Sequence, residues 1–384
     1  MNMERVLQAM AEKAASDLFI SANAPLLMKL NGQMVAVTNR VLAPQEPHEL
    51  LAEVLTKDQM TLLEREGELN VALSLVGVGY FRLSAFRQRG SLAAVLRRIP
   101  SQIPDITTLH VPATLHNLAL EKRGLVLMVG ATGTGKSTTL AAMLEWRNQQ
   151  MPGHILTLED PIEFLFTNKR SVVNQREVGR DTVSLHVGLK NALRQAPDCI
   201  LIGEIRDRET MSAAISYALS GHLVLATMHA NNSYHALGRI LSFYPPESRS
   251  SLLADLPAAL RSVVSQRLLR TPQGTRRPAI EVLLNSKLIS ELIERGDFMG
   301  VKEAMERALA EGSQTFEADI ARMIRAGIVT RDEGLAYADS PANLLWRLEN
   351  EDGTPPAKSA TQAQAEAPSF TSITLDPDEH TTLK

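Results

Sequence analysis

The sequence predicts an α/β protein: a mostly parallel sheet covered on both faces, with a smaller α+β domain ahead of it and helices behind. Three observations predict this. Between about residues 113 and 290, short apolar runs alternate with longer helical patterns, as strand–helix–strand units require. One of these runs opens directly into a glycine-rich loop followed by a helix. Before residue 100 the elements are short and mixed, whereas after 290 only helical spacing remains.

Residues 1–100 read as one small domain. Residues 2–15 have helical spacing, and "SDLFIS" (16–21) alternates like a strand. "LLMKLNGQMVAV" (26–37) reads as two strands around Asn31-Gly32, a strong hairpin signal. "HELLAEVL" and "KDQMTLLERE" look helical, and "GYFRLSAFRQRG" with "SLAAVLRRI" looks like a second hairpin. Residues 101–112, rich in Pro and Thr and without a period, read as a linker. In 113–290 the buried strands are "GLVLMV" (124–129), "HILTLE" (154–159), "CILIG" (199–203) and "HLVLATM" (222–228). Residues 291–348 form a helical region. The tail, 349–384, has almost no large apolar side chains and is expected to be disordered, since it cannot offset the entropy of ordering it.

Composition excludes several classes. In 384 residues, 44% are hydrophobic and 22% charged, ordinary for a globular protein of two domains. A net charge of −3 gives no electrostatic footprint for nucleic acid. The one cysteine, Cys199, rules out an internal disulfide and a cysteine zinc cluster, and its apolar strand assigns it to core packing. The N-terminus has acids within its first dozen residues and lacks the apolar stretch of a signal peptide. No run approaches the ~18 apolar residues of a membrane span. These features predict a cytoplasmic protein that borrows any membrane contact from a partner.

The chemistry starts at "GATGTGKST" (130–138). Gly130, Gly133, Gly135, Lys136 and Ser137 satisfy the G-x-x-x-x-G-K-[ST] pattern, with Ala131, Thr132 and Thr134 between them and Thr138 after. Such a loop curls its backbone N–H groups toward phosphate oxygens, its lysine reaches the β- and γ-phosphates, and its serine ligates Mg²⁺. The following helix would present its N-terminus to the same anions. The chain is expected to bind ATP with Mg²⁺.

Acids follow on the next strands. "LTLEDPIEF" (156–164) runs out at Glu159 and Asp160 and is followed by Glu163. Carboxylates gathered after a buried strand point to a cation, so Glu159 and Asp160 are metal candidates and Glu163 a candidate base for the attacking water. In "DCILIGEIRD" (198–207), Gly203 stands where many ATPases carry a magnesium-holding aspartate, and Glu204 follows it. Glu204 is expected on a strand beside the phosphate-loop strand, acting at the metal through water. Arg206 to Glu209 read as a solvated turn of alternating charge. "HLVLATMHANN" (222–232) presents His229 at the sheet's C-terminal edge, where it would sense the γ-phosphate. His222, at the start of that strand, is a weaker candidate. One base and one metal rarely supply all the acceleration that ATP hydrolysis needs, so arginines are expected as well. Arg82 and Arg97 lie on adjacent strands of the small domain, and Arg239 follows the His229 segment.

"GATGTGKSTTLAAM", "GHILTLEDPIEF", "NQREVG", "ALRQAPDCILIGEIRDRETM" and "GHLVLATMHANN" together resemble, in order and spacing, the motifs of the secretion ATPase superfamily. That family moves type IV pilins and type II secretion pseudopilins. The resemblance covers about residues 2–348. It implies a hexameric ring with a PAS-like N-terminal domain (1–100), a linker (101–112), a RecA-like ATPase domain (113–290) and ATP held between the domains. It also implies that Glu204 acts at Mg²⁺, that Glu163 is the general base, that His229 meets the γ-phosphate, and that Arg82 and Arg97 face the nucleotide. Lacking the tetracysteine motif of assembly ATPases, the chain resembles the retraction branch, the PilT/PilU type. "LISELIERG" (288–296) carries Ser290 and Glu291 where PilT-type members carry arginine and asparagine, and with the tail this favours the PilU type. The resemblance thus implies an accessory motor of pilus retraction and twitching motility. Its partners would be a PilT-type ATPase and an inner-membrane platform protein. A type II secretion or pilus assembly ATPase and a RecA-like nucleic-acid translocase remain alternatives.

Overall fold

The computed structural model describes residues 2–30, 33–75, 77–99, 102–307 and 310–350. The Asn31-Gly32 turn and most of the expected tail lie outside these residues. The N-terminal part carries α1 (Met3–Glu12), β1 (Asp17–Ser21), β2 (Leu27–Leu30), β3 (Gln33–Ala36), α2 (Glu46–Ala52), α3 (Lys57–Glu66), β4 (Glu68–Leu75), β5 (Gly79–Gln88) and β6 (Ser91–Ile99). Its strands form an antiparallel sheet in the order β3-β2-β1-β6-β5-β4. One face buries Leu18, Met28, Phe81, Leu83 and Leu96 against Leu7 and Met10 of α1 and Leu51 and Leu63 of the next two helices. The strand alternation read from sequence creates this face, because successive side chains point to opposite sides. β4 was absent from the expected elements; it pairs with β5 along eight residues.

After a short helix, α4 (Thr114–Ala119), come β7 (Gly124–Val129), α5 (Lys136–Gln150), β8 (Gly153–Glu159), β9 (Ser171–Glu177), α6 (Leu185–Ala192), β10 (Cys199–Ile202), α7 (Arg208–Leu219), β11 (Leu223–Met228), α8 (Ser233–Ser242), α9 (Arg249–Ala259), β12 (Leu260–Arg270) and β13 (Arg276–Leu284). The second sheet runs β13-β12-β7-β11-β10-β8-β9, with every pairing parallel except β12–β13. Period-two alternation divides each central strand between two cores. Leu125, Leu127, Ile200, Ile202, Val224 and Ala226 pack against the helices from α6 onward, whereas Val126, Met128, Leu201 and Leu225 pack against α4 and α5. Cys199 belongs to the second set, and complete burial pushes its thiol up to about 12, as packing rather than reactivity requires.

The sheet order corrects one expectation. β10, which leads to Glu204, does not adjoin β7; the His229 strand β11 lies between them. The aperiodic segment 101–112 also does more than link. Residues Ile106–Thr108 make a 3₁₀ turn that buries Ile106 against α5 and β7. Helices α10 (Lys287–Glu294), α11 (Phe298–Arg307), α12 (Phe316–Arg325), α13 (Arg331–Tyr337) and α14 (Pro341–Asn350) follow. Phe316, Ile320 and Leu344 close a small core over Leu269 and Ala279 of the β12–β13 hairpin. Among the described residues, no helix is long and apolar enough to cross a membrane.

Candidate active site

The C-terminal edge of the second sheet is where its chemistry gathers. β7 ends at Val129, and the loop 130–135 turns into α5 through Gly135, whose φ of +86° would strain any other residue at this helix N-cap. A Cβ there would also lie 2.9 Å from the side-chain nitrogen of Gln266. Gln266, buried on β12, fastens the loop. Its Nε2 donates to Thr134 O (2.7 Å) and its Oε1 accepts from Thr139 Oγ1 (2.8 Å). A glutamine inside the apolar run "SVVSQRLL" was the available sequence signal for this residue, and it went unread. Lys136 Nζ donates to the carbonyls of Gly130 (2.9 Å) and Ala131 (2.8 Å). Burial lowers its pKa, against the opposing pull of Glu204 and Glu163.

Beside the loop opens a cavity of about 640 Å³, lined by residues that include Lys136, Ser137, Glu163, Glu204 and His229. The sequence-predicted phosphate loop and acids therefore meet on one surface, although they come from four strands. Glu204 Oε1 lies 3.2 Å from His229 Nε2, and Glu204 Oε2 lies 2.6 Å from Arg206. Burial works against the Glu204 charge, but Arg206, His229 and Lys136 outweigh it and hold the carboxyl below its ordinary value. Arg206, expected to be an idle solvated turn residue, is thus part of the site.

Glu159 is buried, unlike its neighbours Asp160 and Glu163, which are exposed. Its carboxylate accepts Thr157 Oγ1 (2.6 Å) and Gln175 Nε2 (3.3 Å). Burial nevertheless raises its pKa. Gly203 explains the missing aspartate of its strand. A Cβ at this position would sit 3.2 Å from Glu159 Cα and 3.3 Å from Leu158 O, so the glycine admits the end of β8.

The arginines divide. Arg82 and Arg97 face one another across β5 and β6. Arg82 feels the charges of Glu163, Glu177 and Asp160, although burial lowers its pKa, and its Nε and Nη2 are buried without a hydrogen-bond partner. Arg97 instead makes an ion pair with Asp17 (2.8 Å) inside its own sheet. Arg239 is exposed in the last turn of α8 and does not line the cavity. His222 lies before β11, at the opposite end of that strand from His229, roughly 20 Å away at ~3.3 Å per residue. There it contacts Ser220 Oγ (3.2 Å) and the Tyr217 carbonyl (3.2 Å), which corrects its candidacy for the site. Arg276, which lines the cavity from the start of β13, was missed. Its signal was the arginine pair after "TPQGT".

Fold and cavity together define a phosphate-loop ATPase with a separate antiparallel domain in front of it. The chain belongs to the type II/IV secretion system protein family, whose model matches residues 2–333. It is 46% identical over 365 residues to the type IV pilus ATPase PilU of Pseudomonas aeruginosa, covering 94% of this chain and 96% of that protein. It is 34% identical to the type IV pilus retraction ATPase PilT of the same organism, covering 90% of this chain and 100% of PilT. A crystal structure of the pilus retraction motor PilT with bound ADP superposes with a TM-score of 0.85. That structure shares 34% identity and covers 90% of this chain and 99% of its own. The chain is accordingly a nucleotide-binding ATPase, related to those of pilus retraction.

Proposed function

We propose that this ATPase powers type IV pilus retraction as the PilU-type accessory motor, working with a PilT-type partner in twitching motility. The observation that carries the proposal is the convergence of Lys136, Glu163, Glu204 and His229 on one cavity in a chain so similar to PilU along its length. The phosphates lie against the loop 130–138, with Lys136 moving from the Gly130 and Ala131 carbonyls onto the anion. Ser137, a hard oxygen donor, would hold Mg²⁺ in this cavity, and Glu204 and Asp160, which also line it, would supply acid groups to it through water. No group of three or more His, Cys, Asp or Glu able to hold a metal occurs among the described residues, so phosphate oxygens must complete the set. When bound, the ion neutralises charge that develops on the phosphates.

Glu163 orients and deprotonates the attacking water, and His229, bridged to Glu204, reads the γ-phosphate. Arg82 lends positive charge from the small domain. Opening and closing of that domain around a hexameric ring turns hydrolysis into displacement, passed to an inner-membrane platform protein. The location that follows is the cytoplasmic face of the inner membrane.

Lys136→Ala is expected to abolish ATP hydrolysis by the purified chain; a wild-type rate would overturn the motor assignment. In cells, a strain lacking the chain and one carrying Glu204→Ala should share a twitching defect. Normal twitching and pilus loss in both would remove the retraction assignment. The accessory role predicts no retraction by this chain when the PilT-type partner is deleted.

A further inference from the structure

The side chains of "NQREVG" (174–179), on the edge strand β9 and its end, hold the loop that carries Glu163. We propose that Gln175, seconded by Glu177, is a positioning residue that sets the placement of Glu163 over the nucleotide. The proposal rests on the assignment of Glu163 as the base for the attacking water.

Residues 160–166 form neither helix nor strand, so no ladder fixes their backbone. β9, the edge strand, runs beside them, and its register sets Gln175 opposite Thr157 and Glu177 opposite Glu159. The period of two puts Gln175 and Glu177 on one face. Gln175 Nε2 donates to Phe164 O (2.8 Å) and to Glu159 Oε1 (3.3 Å), and its Oε1 accepts from Phe166 N (2.9 Å). Both amide hydrogens and the carbonyl oxygen are therefore engaged. Glu177 Oε2 accepts from Ile162 N (3.1 Å). The loop is thus pinned at 162, 164 and 166, with Glu163 between two of the pins.

Glu163 itself is exposed. No hydrogen bond or ion pair to its carboxylate occurs among the described residues, so its position is inherited from the backbone beneath it. A reacting group misplaced by about an ångström can lose on the order of 10²-fold in rate. Binding of the triphosphate depends on the loop 130–138, which β9 does not touch through these bonds. Loss of the brace should therefore reach turnover and leave affinity alone.

Gln175→Met keeps length and volume and removes all three hydrogen bonds. For the purified full-length chain, kcat should fall about 10- to 100-fold. The Kd for a fluorescent ATP analogue and the KM should stay within about twofold, and the melting temperature should stay close to wild type. Glu163→Gln is assayed in parallel, and Gln175→Met should slow that variant no further, because both changes act on one step. Unchanged kcat in Gln175→Met beside an inactive Glu163→Gln overturns the brace alone. A joint fall of kcat, affinity and melting temperature also overturns it, since that marks a general structural role. A multiplicative loss in the double variant overturns it too. Wild-type turnover by Glu163→Gln removes the base assignment, and the proposal with it.

Discussion

At the scale of single residues, Gly203 shows how an absence can be a fitted part. Its neighbours are main-chain atoms of Leu158, Glu159 and Asp160, which cannot swing aside as a flexible side chain would. Gly203→Ala must push the end of β8 by a few tenths of an ångström, at a cost of about 1–3 kcal/mol for overpacking. The displaced atoms carry Glu159, which Gln175 ties to the loop that bears Glu163. The expected outcome is a lower melting temperature together with a fall in kcat larger than the fall in ATP affinity. A variant with lower stability but full turnover would show that the close approach serves packing only. An aspartate here, the residue common in other ATPases, would be worse, since it adds a charge to the same crowding.

At the scale of elements, the β12–β13 hairpin holds both ends of the site. Gln266 grips the phosphate loop from β12, while Glu281 on β13 receives Ser233 N (2.8 Å), Ser233 Oγ (2.7 Å) and Ser265 Oγ (2.9 Å). Ser233 opens α8 directly after the His229 segment, so Glu281 anchors the helix that follows it. Asn232 donates to Asp339 (2.7 Å), and Arg267 pairs with the same aspartate, tying that segment to the helices beyond. Burial raises the Glu281 pKa above its ordinary 4.5, against the hydrogen bonds from Ser233 and Ser265. The sign follows. As pH rises through about 4.5 the unfolded chain ionises first, and the folded state loses relative stability until its own raised pKa is passed. Glu281→Gln cannot ionise and keeps an acceptor for Ser233. Its urea midpoint relative to wild type should therefore climb between pH 5 and pH 8, and a flat difference would contradict a raised carboxyl. Sequence reached the phosphate loop because its signal is contiguous. Gln266 and Glu281 escaped because each acts through hydrogen bonds to segments distant in the chain, and Gln175 because its bonds reach across to the loop that follows the neighbouring strand. Arg206 was misread for a related reason: alternating signs do not tell which acid an arginine will meet.

At the scale of the whole molecule, the two sheets meet through a charge that neither settles alone. Arg82 and Arg97 stand directly opposite in β5 and β6, and like charges so placed repel. Arg97 is relieved by Asp17, which is buried to 4% exposure, whereas Arg82 feels the charges of Glu163, Glu177 and Asp160 across the boundary. Two substitutions separate these roles. Arg97→Ala strips the buried Asp17 carboxylate of its partner and should lower the melting temperature, by an amount that solvent screening around the exposed guanidinium reduces. Arg82→Ala removes a guanidinium whose Nε and Nη2 are buried and unpartnered, so stability should hold or rise. Hydrolysis should nevertheless fall steeply, by about 10³-fold if the charge serves the transferring phosphate as an arginine finger does. The measurements are thermal unfolding and steady-state ATPase rates on both variants. If Arg82→Ala were less stable and fully active, the guanidinium would be an ordinary domain fastener, and the small domain would not reach into the chemistry. If instead the variant is stable and slow, part of the catalytic charge arrives with the small domain. Domain closure and bond cleavage then depend on one residue, which is the coupling a motor requires.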